Sequence, residues 1–422
     1  MKFAALTFLA LALCAGSASL RAQSDTQLML DEYAPAADDL AAWAENAAVL
    51  TRLGTVPEYA DRTLSEKEQK VRQQLEEACM EGTFPDCQAF LRANRPAVRR
   101  VVPDNPQFWA LFWRLQEGGA LFDLSGPLND QLGGFQPLLV ATQWWFYKDL
   151  ADDGRLDLAR AQRLQEAITA WLSGHQTLMG RMIVVAMQDM VFNQLSFAMA
   201  QAGRSRDMQR LQDLARAVAP LELGAMSWGP VLWVEQQWGV QTILQDWPAQ
   251  VDEAHVLAAL ALAPEEVTEA QIRALVEDPT AVLKADNEVI ARHFVPVTTL
   301  PWTRYWAEGV PPLDADKFGA LSFAGVTAPA YAEYVARERA TNFRRFLFPA
   351  LADVYAGRVS PGVPARPAPA RWRWEWREGP QPALCLVSDT VHASTRQMPE
   401  KDAETWCVDY YDETAVAKLH VR

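Results

Sequence analysis

A chain of 422 residues with 39 Lys and Arg against 53 Asp and Glu carries a formal charge of -14. That balance excludes the electrostatic footprint of a nucleic-acid binder, since phosphate backbones repel it, and it disfavours anionic lipid surfaces on the same ground. Half of the residues are hydrophobic and the length is ample for a large core or two domains.

The first 22 residues have the layout of a secretory signal peptide. Lys2 precedes an apolar run from Phe3 to Cys14, followed by small residues from Ala15 to Ser19. Gly16-Ser17-Ala18 offers small residues for cleavage, and Ala22 offers a second point. The apolar run is shorter than the roughly 20 residues that a membrane span needs. Leu13, where a lipidated cysteine would follow a small residue, favours simple cleavage over lipoprotein anchoring through Cys14. Residues 1–22 hold Lys2 and Arg21 and no acid, so their removal moves the charge from -14 to -16. The expected address is periplasmic or secreted.

From residue 23 the chain reads as helix after helix. Helical spacing and caps place them at 37–52, 64–81, 84–93, 105–118, 136–150, 156–173, 178–201, 205–219, 228–240, 252–262, 268–277, 280–292 and 329–356. Ser65-Glu66-Lys67-Glu68 and Thr268-Glu269-Ala270-Gln271 are capping boxes. No period of 20 to 50 residues links the segments, so the expected body is a globular multi-helix array of class mainly α rather than a solenoid. Leu178 to Ala200 is the most apolar stretch, yet it carries Arg181, Gln188, Asp189, Asn193 and Gln194. Charges there are costly in lipid, so a buried helix is expected and no membrane span in the mature chain.

Residues 357–371 are Pro-rich and read as an extended linker. Beyond them Trp372, Trp374 and Trp376 alternate with Arg373 and Glu375, which is strand spacing, and Ala383 to Val387 and Thr405 to Tyr411 read as further strands. The resulting division is 1–22 signal peptide, 23–356 helical domain, 357–371 linker and 372–422 a small β unit packed on the helical domain. Four cysteines fall in two local pairs. Cys79 with Cys87 fits a helix end, a turn and the next helix start, and Cys385 with Cys407 staples two strands. Neither pair has the two-residue spacing of a zinc or thioredoxin-like motif, and no metal or cofactor is expected.

Chemistry is faint. His175, His255, His293, His392 and His420 never fall within one helical turn, and no nucleophile elbow, phosphate loop or dinucleotide fingerprint occurs. At 100° per residue, Arg181, Gln188, Asp189, Asn193 and Ser196 occupy one sector about 140° wide. Two readings of that stripe stay open: a buried network in which Arg181 pairs with a carboxylate, or a cavity lined by Arg181, Asp189 and Asn193. Trp144 in Trp144-Trp145-Phe146-Tyr147 is a second candidate, because tryptophan faces stack on sugars, although core packing explains most of the cluster. Arg337, Arg339, Arg344 and Arg345 give residues 329–355 a basic face suited to the acidic remainder of the chain. The expected function is an exported helical scaffold or binding protein of a bacterial-type cell envelope, with an envelope protein or a glycan as partner. The alternative is a helical carbohydrate-active hydrolase or lyase using Asp189 as acid or base.

Overall fold

The computed structural model describes residues 29–55, 64–102, 105–115, 121, 135–218, 227–246, 277–299, 334–335, 337–339, 341–361, 366–388, 405–413, 415–417 and 419, with single positions at 254, 257, 269, 270 and 273. Among them stand twelve α-helices and one three-stranded antiparallel sheet, so the chain is mainly α with a small disulfide-stapled β unit. Residues 1–22 and the Thr268 capping box lie outside the described residues, as do most of 252–262, 268–277 and the first part of 329–356.

The helices are α1 (Ala37–Gly54), α2 (Glu66–Glu76), α3 (Phe84–Ala93), α4 (Arg95–Val101), α5 (Pro106–Leu115) and α6 (Phe135–Asp152). They continue as α7 (Leu158–Ser173), α8 (Leu178–Arg204), α9 (Met208–Ala217), α10 (Gly229–Asp246), α11 (Pro279–Thr298) and α12 (Phe348–Tyr355). Their starts are chemical. Ser65 accepts from the Glu68 amide while the Glu68 carboxylate accepts from the Ser65 amide, which satisfies two donors that a helix start leaves open. Asp157, Thr177, Asp207 and Asp278 cap α7, α8, α9 and α11 in the simpler one-sided way.

Several helix boundaries depart from the sequence reading, α10 and α11 running on to Asp246 and Thr298. Residues 64–81 do not run as one α-helix: α2 closes in a π turn, Glu77–Glu81, where the Gly82 amide donates to the Glu77 carbonyl. Gly82 is required there, because a β-carbon would stand 2.6 Å from the Ala78 carbonyl oxygen. The expected 329–356 helix is likewise broken, by a 3-10 turn at Arg344–Leu347 ahead of α12. Pro349 in the first turn of α12 has no amide to donate backward, so an uninterrupted ladder across this point is impossible. α12 itself ends at Gly357, whose φ of +69 carries the left-handed turn, with Gly357 donating to the Val354 carbonyl and Arg358 to that of Asp353. The sequence reading has no separate α4. Its start at Asn94-Arg95-Pro96 follows α3 directly, and the second proline-bearing first turn is what restarts the helix.

By contact the chain divides into two compact units. The first comprises residues 1–36, 223–336 and 392–397, and among its described residues α10 packs on α11, with the turn Met29–Tyr33 against both. Here the Leu30 amide donates to the buried Glu288 carboxylate, and the Trp228 amide to the Thr298 hydroxyl. The second unit comprises residues 37–222, 337–391 and 398–422. Its centre is α8, which packs on α6, α7, α9 and α12. Phe84 of α3, Phe146 of α6, Phe197 of α8 and Tyr411 form one aromatic cluster with ring centroids 4.6 to 5.8 Å apart.

The sheet belongs to this second unit. β1 (Trp372–Arg377) pairs with β2 (Ala383–Ser388), and β2 with β3 (Thr405–Asp409), all antiparallel. Every residue of β2 is buried, as a central strand covered on both faces requires. One face bonds the unit internally through Ala383, Cys385, Val387 and Cys407. On the other, Trp372 stacks on Trp406 at 4.0 Å, and Phe343 stacks on Trp406 at 3.8 Å. Both expected disulfides are present, Cys79–Cys87 and Cys385–Cys407.

Candidate functional site, the polar seam of the central helix

α8 is long and apolar enough to cross a membrane, but the window that qualifies is 78% buried within the protein. A helix so enclosed buries polar side chains that call for partners. Arg181, Gln188, Asp189 and Asn193 find them among Glu338, Asn342, Arg344 and Arg345. Arg181 donates through Nε and Nη2 to the two carboxylate oxygens of Glu338, at 2.8 and 2.7 Å, with Arg181 0% and Glu338 2% exposed. The fork-to-fork geometry is the strong form of the arginine–carboxylate bond. One turn on, the Glu338 carbonyl accepts from Asn342 Nδ2 at 2.9 Å. Seven residues along α8, the Gln188 amide nitrogen donates to Asn342 Oδ1 at 3.1 Å while its oxygen accepts from Arg345 Nε at 3.1 Å, the orientation that matches donors with acceptors. The Thr169 hydroxyl of α7 lies 3.5 Å from the same guanidinium. Burial pushes the Arg345 guanidinium down to about 9.

The stripe then opens toward solvent. Arg344 donates to the Asp189 carboxylate and, at 2.8 Å, to Asn193 Oδ1. The Phe192 ring centre lies 5.7 Å from the guanidinium carbons of both Arg344 and Arg345. Farther along, Gln194 donates to the Thr142 carbonyl of α6 at 3.1 Å. The seam is thus a ladder of ionic and amide rungs: Arg181 to Glu338, Gln188 to Asn342 and Arg345, Asp189 and Asn193 to Arg344. The sequence reading brings Arg181, Asp189 and Asn193 onto one helix face, and the structure keeps them there, each held by a residue about 150 positions later. Glu338 and Asn342 are absent from the sequence candidates. Their spacing with Arg345, four and then three, marks one helical face and is the signal that could have found them.

Trp144 stands apart from this seam. It is buried on α6 beside Tyr147, ring centres 5.6 Å apart, with the Arg72 guanidinium 5.7 Å over its ring. His175 packs against Trp43 at 4.8 Å. Among the described residues no group of three or more His, Cys, Asp or Glu is placed to hold a metal ion. A second charged node lies at the α6–α7 corner. The buried Asp149 carboxylate accepts from the Asp157 amide at 2.9 Å and from Arg160 at 2.7 Å, and burial nevertheless raises it to about 6. Compared with protein-family models, with curated proteins and with solved structures, the chain matches none.

Proposed function

We propose that this chain is an exported helical scaffold or binding protein of a bacterial-type cell envelope, without catalytic chemistry on its central helix. The observation that carries the reading is the pairing along α8. Arg181 is taken up by Glu338, and Asp189 by Arg344, so the charges that a catalyst would aim at substrate are engaged within the fold. A general acid or base must reach the proton it moves, and a carboxylate clasped by a guanidinium is poorly placed for that. Two disulfides fit an oxidising compartment, compatible with a periplasmic or extracellular location. The apolar run before Ala15 supports export as the route there.

The test is mild crosslinking in a host that exports the chain, then affinity isolation of the mature protein and mass spectrometry. A reproducible protein partner at fixed stoichiometry is the expected result. Recovery of the chain alone, together with binding to a glycan panel that Asp189→Asn abolishes, sinks the scaffold reading in favour of a carbohydrate-active protein. Intact mass of the recovered protein should show loss of 18 or 22 residues with no lipid adduct; an acylated Cys14 overturns cleavage.

A further inference from the structure

After β3 the chain stays within the fold. Ala415, Ala417 and Leu419 are 0, 0 and 1% exposed, while Val416 between them is half-buried, the alternation of an extended strand. The main chain of this short strand is bonded on two sides. Toward the Cys79–Cys87 hairpin, the Phe84 amide donates to the Ala415 carbonyl at 2.8 Å, the Ala417 amide to Gly82 at 2.8 Å, and the Leu419 amide to Cys79 at 3.0 Å. Toward the β1–β2 turn, the Val416 amide donates to the Pro380 carbonyl at 3.1 Å. The Asp412 carboxylate accepts from the Ala415 amide at 2.8 Å and sets the strand's start.

The acceptors on the hairpin side are those that the end of a helix leaves without intrahelical donors. Cys79 lies inside the π turn and Gly82 is its cap, while Cys87 sits in the first turns of α3 behind the Thr83–Asp86 capping box. The disulfide ties these two helix ends and so presents the Cys79 and Gly82 carbonyls and the Phe84 amide in one row. A π turn carries an extra residue relative to α-helical winding. The Cys79–Cys87 bond is the covalent tether that holds this turn and the start of α3 in the register met by the strand. Conversely, both sulfurs are fully buried, with the strand lying across the Cys79 carbonyl.

We propose that residues 415–417 and 419 are a redox-coupled strap: docked, they shield the Cys79–Cys87 bond, and reduction of that bond releases them. The reductant is a dithiol. Its thiolate attacks one sulfur of the bridge, and resolution passes two electrons and two protons to Cys79 and Cys87 while the dithiol leaves as its own disulfide. Because the coupling is between two equilibria it is reciprocal: whatever factor the bond contributes to strap docking, the strap returns to the bond.

The experiment compares the intact mature chain with one ending at residue 414 and with intact Leu419→Asp. Each is exposed to dithiothreitol under native conditions, quenched by alkylation and mapped cysteine by cysteine. The expected result is alkylation of Cys79 and Cys87 at least about fivefold faster in both altered chains, because attack on a bond exposed only on opening tracks the open population, with Cys385 and Cys407 unchanged as internal reference. In the opposite direction, amide exchange at Ala417 and Leu419 in C79A/C87A should quicken by a like factor while Leu386 and Val408 keep their rates. Equal reduction of Cys79–Cys87 in all three chains, or unchanged exchange in C79A/C87A, overturns the proposal. If the shortened chain unfolds, both bridges reduce together there and Leu419→Asp decides: selective acceleration at Cys79–Cys87 supports the strap, and none overturns it.

Discussion

Arg181→Met is the sharpest probe of the seam. The substitution keeps an unbranched chain in place and removes the guanidinium that donates to both oxygens of Glu338. Neither partner is more than 2% exposed, so water does not screen the loss. Leaving one member of such a pair buried and alone costs about 3–5 kcal/mol. Urea unfolding followed by far-UV circular dichroism at pH 7.5 measures the loss. R181M/E338L removes both charges and should recover most of the deficit, since apolar replacement of a buried pair is commonly neutral or better. A single-variant loss below about 1 kcal/mol refutes the reasoning about an uncompensated buried charge. Unchanged stability together with loss of a bound ligand would instead make the seam a cavity wall.

Other variants address other parts of the fold. Asp149, raised by burial to about 6 from 3.8, favours the protonated folded state between those values, so the wild type loses stability as pH rises through that window. Asp149→Asn does not titrate, and the stability difference should move in its favour by up to about 3 kcal/mol between pH 4 and 7.5; a constant difference counts against it. Gly82→Ala forces a β-carbon to 2.6 Å from the Ala78 oxygen and should cost about 1–3 kcal/mol, read by the urea midpoint at constant slope. C385A/C407A opens a loop of sequence separation 22 and should cost about 3 kcal/mol on the chain-entropy account, again by denaturant unfolding. In the untreated mature protein, denaturing thiol labelling should find no free cysteine, and two reactive thiols would contradict the bridges.

What could be read from the residues was what repeats locally. The Ser65–Glu68 box, the 3.6-residue pattern of α7 and α8, the alternating tryptophans of β1 and both local cysteine pairs each carry their own geometry within a few residues. The polar face of α8 was legible for the same reason, since a helix fixes the angle between Arg181 and Asn193. Its partners were not, because Glu338 and Arg344 come from a segment that no local rule connects to α8. The π turn hides as well: its extra residue changes winding without changing the hydrophobic pattern. The strand at 415–419 is too short and too poor in β-branched residues to announce itself, and it exists because the hairpin's open carbonyls give it a template.

Cys385 and Cys407 face one another directly in the β2–β3 register. Side chains alternate between the two faces of a sheet, so a slip of one residue would set the sulfurs on opposite sides, beyond bonding reach. The bond therefore acts as a registration pin: once closed, it admits a single alignment of the two strands, with Leu386 beside Trp406 and Leu384 beside Val408. Evolution inherits an asymmetry from this. Residues can be added to or dropped from the connection 389–404 without moving the pairing, whereas one insertion between Trp406 and Cys407 turns Trp406 to the face opposite Trp372 and Phe343, and one between Cys385 and Leu386 turns Leu386 away from Trp406. Length variation among descendants of this chain should accordingly gather in the connection and spare the few residues flanking each sulfur.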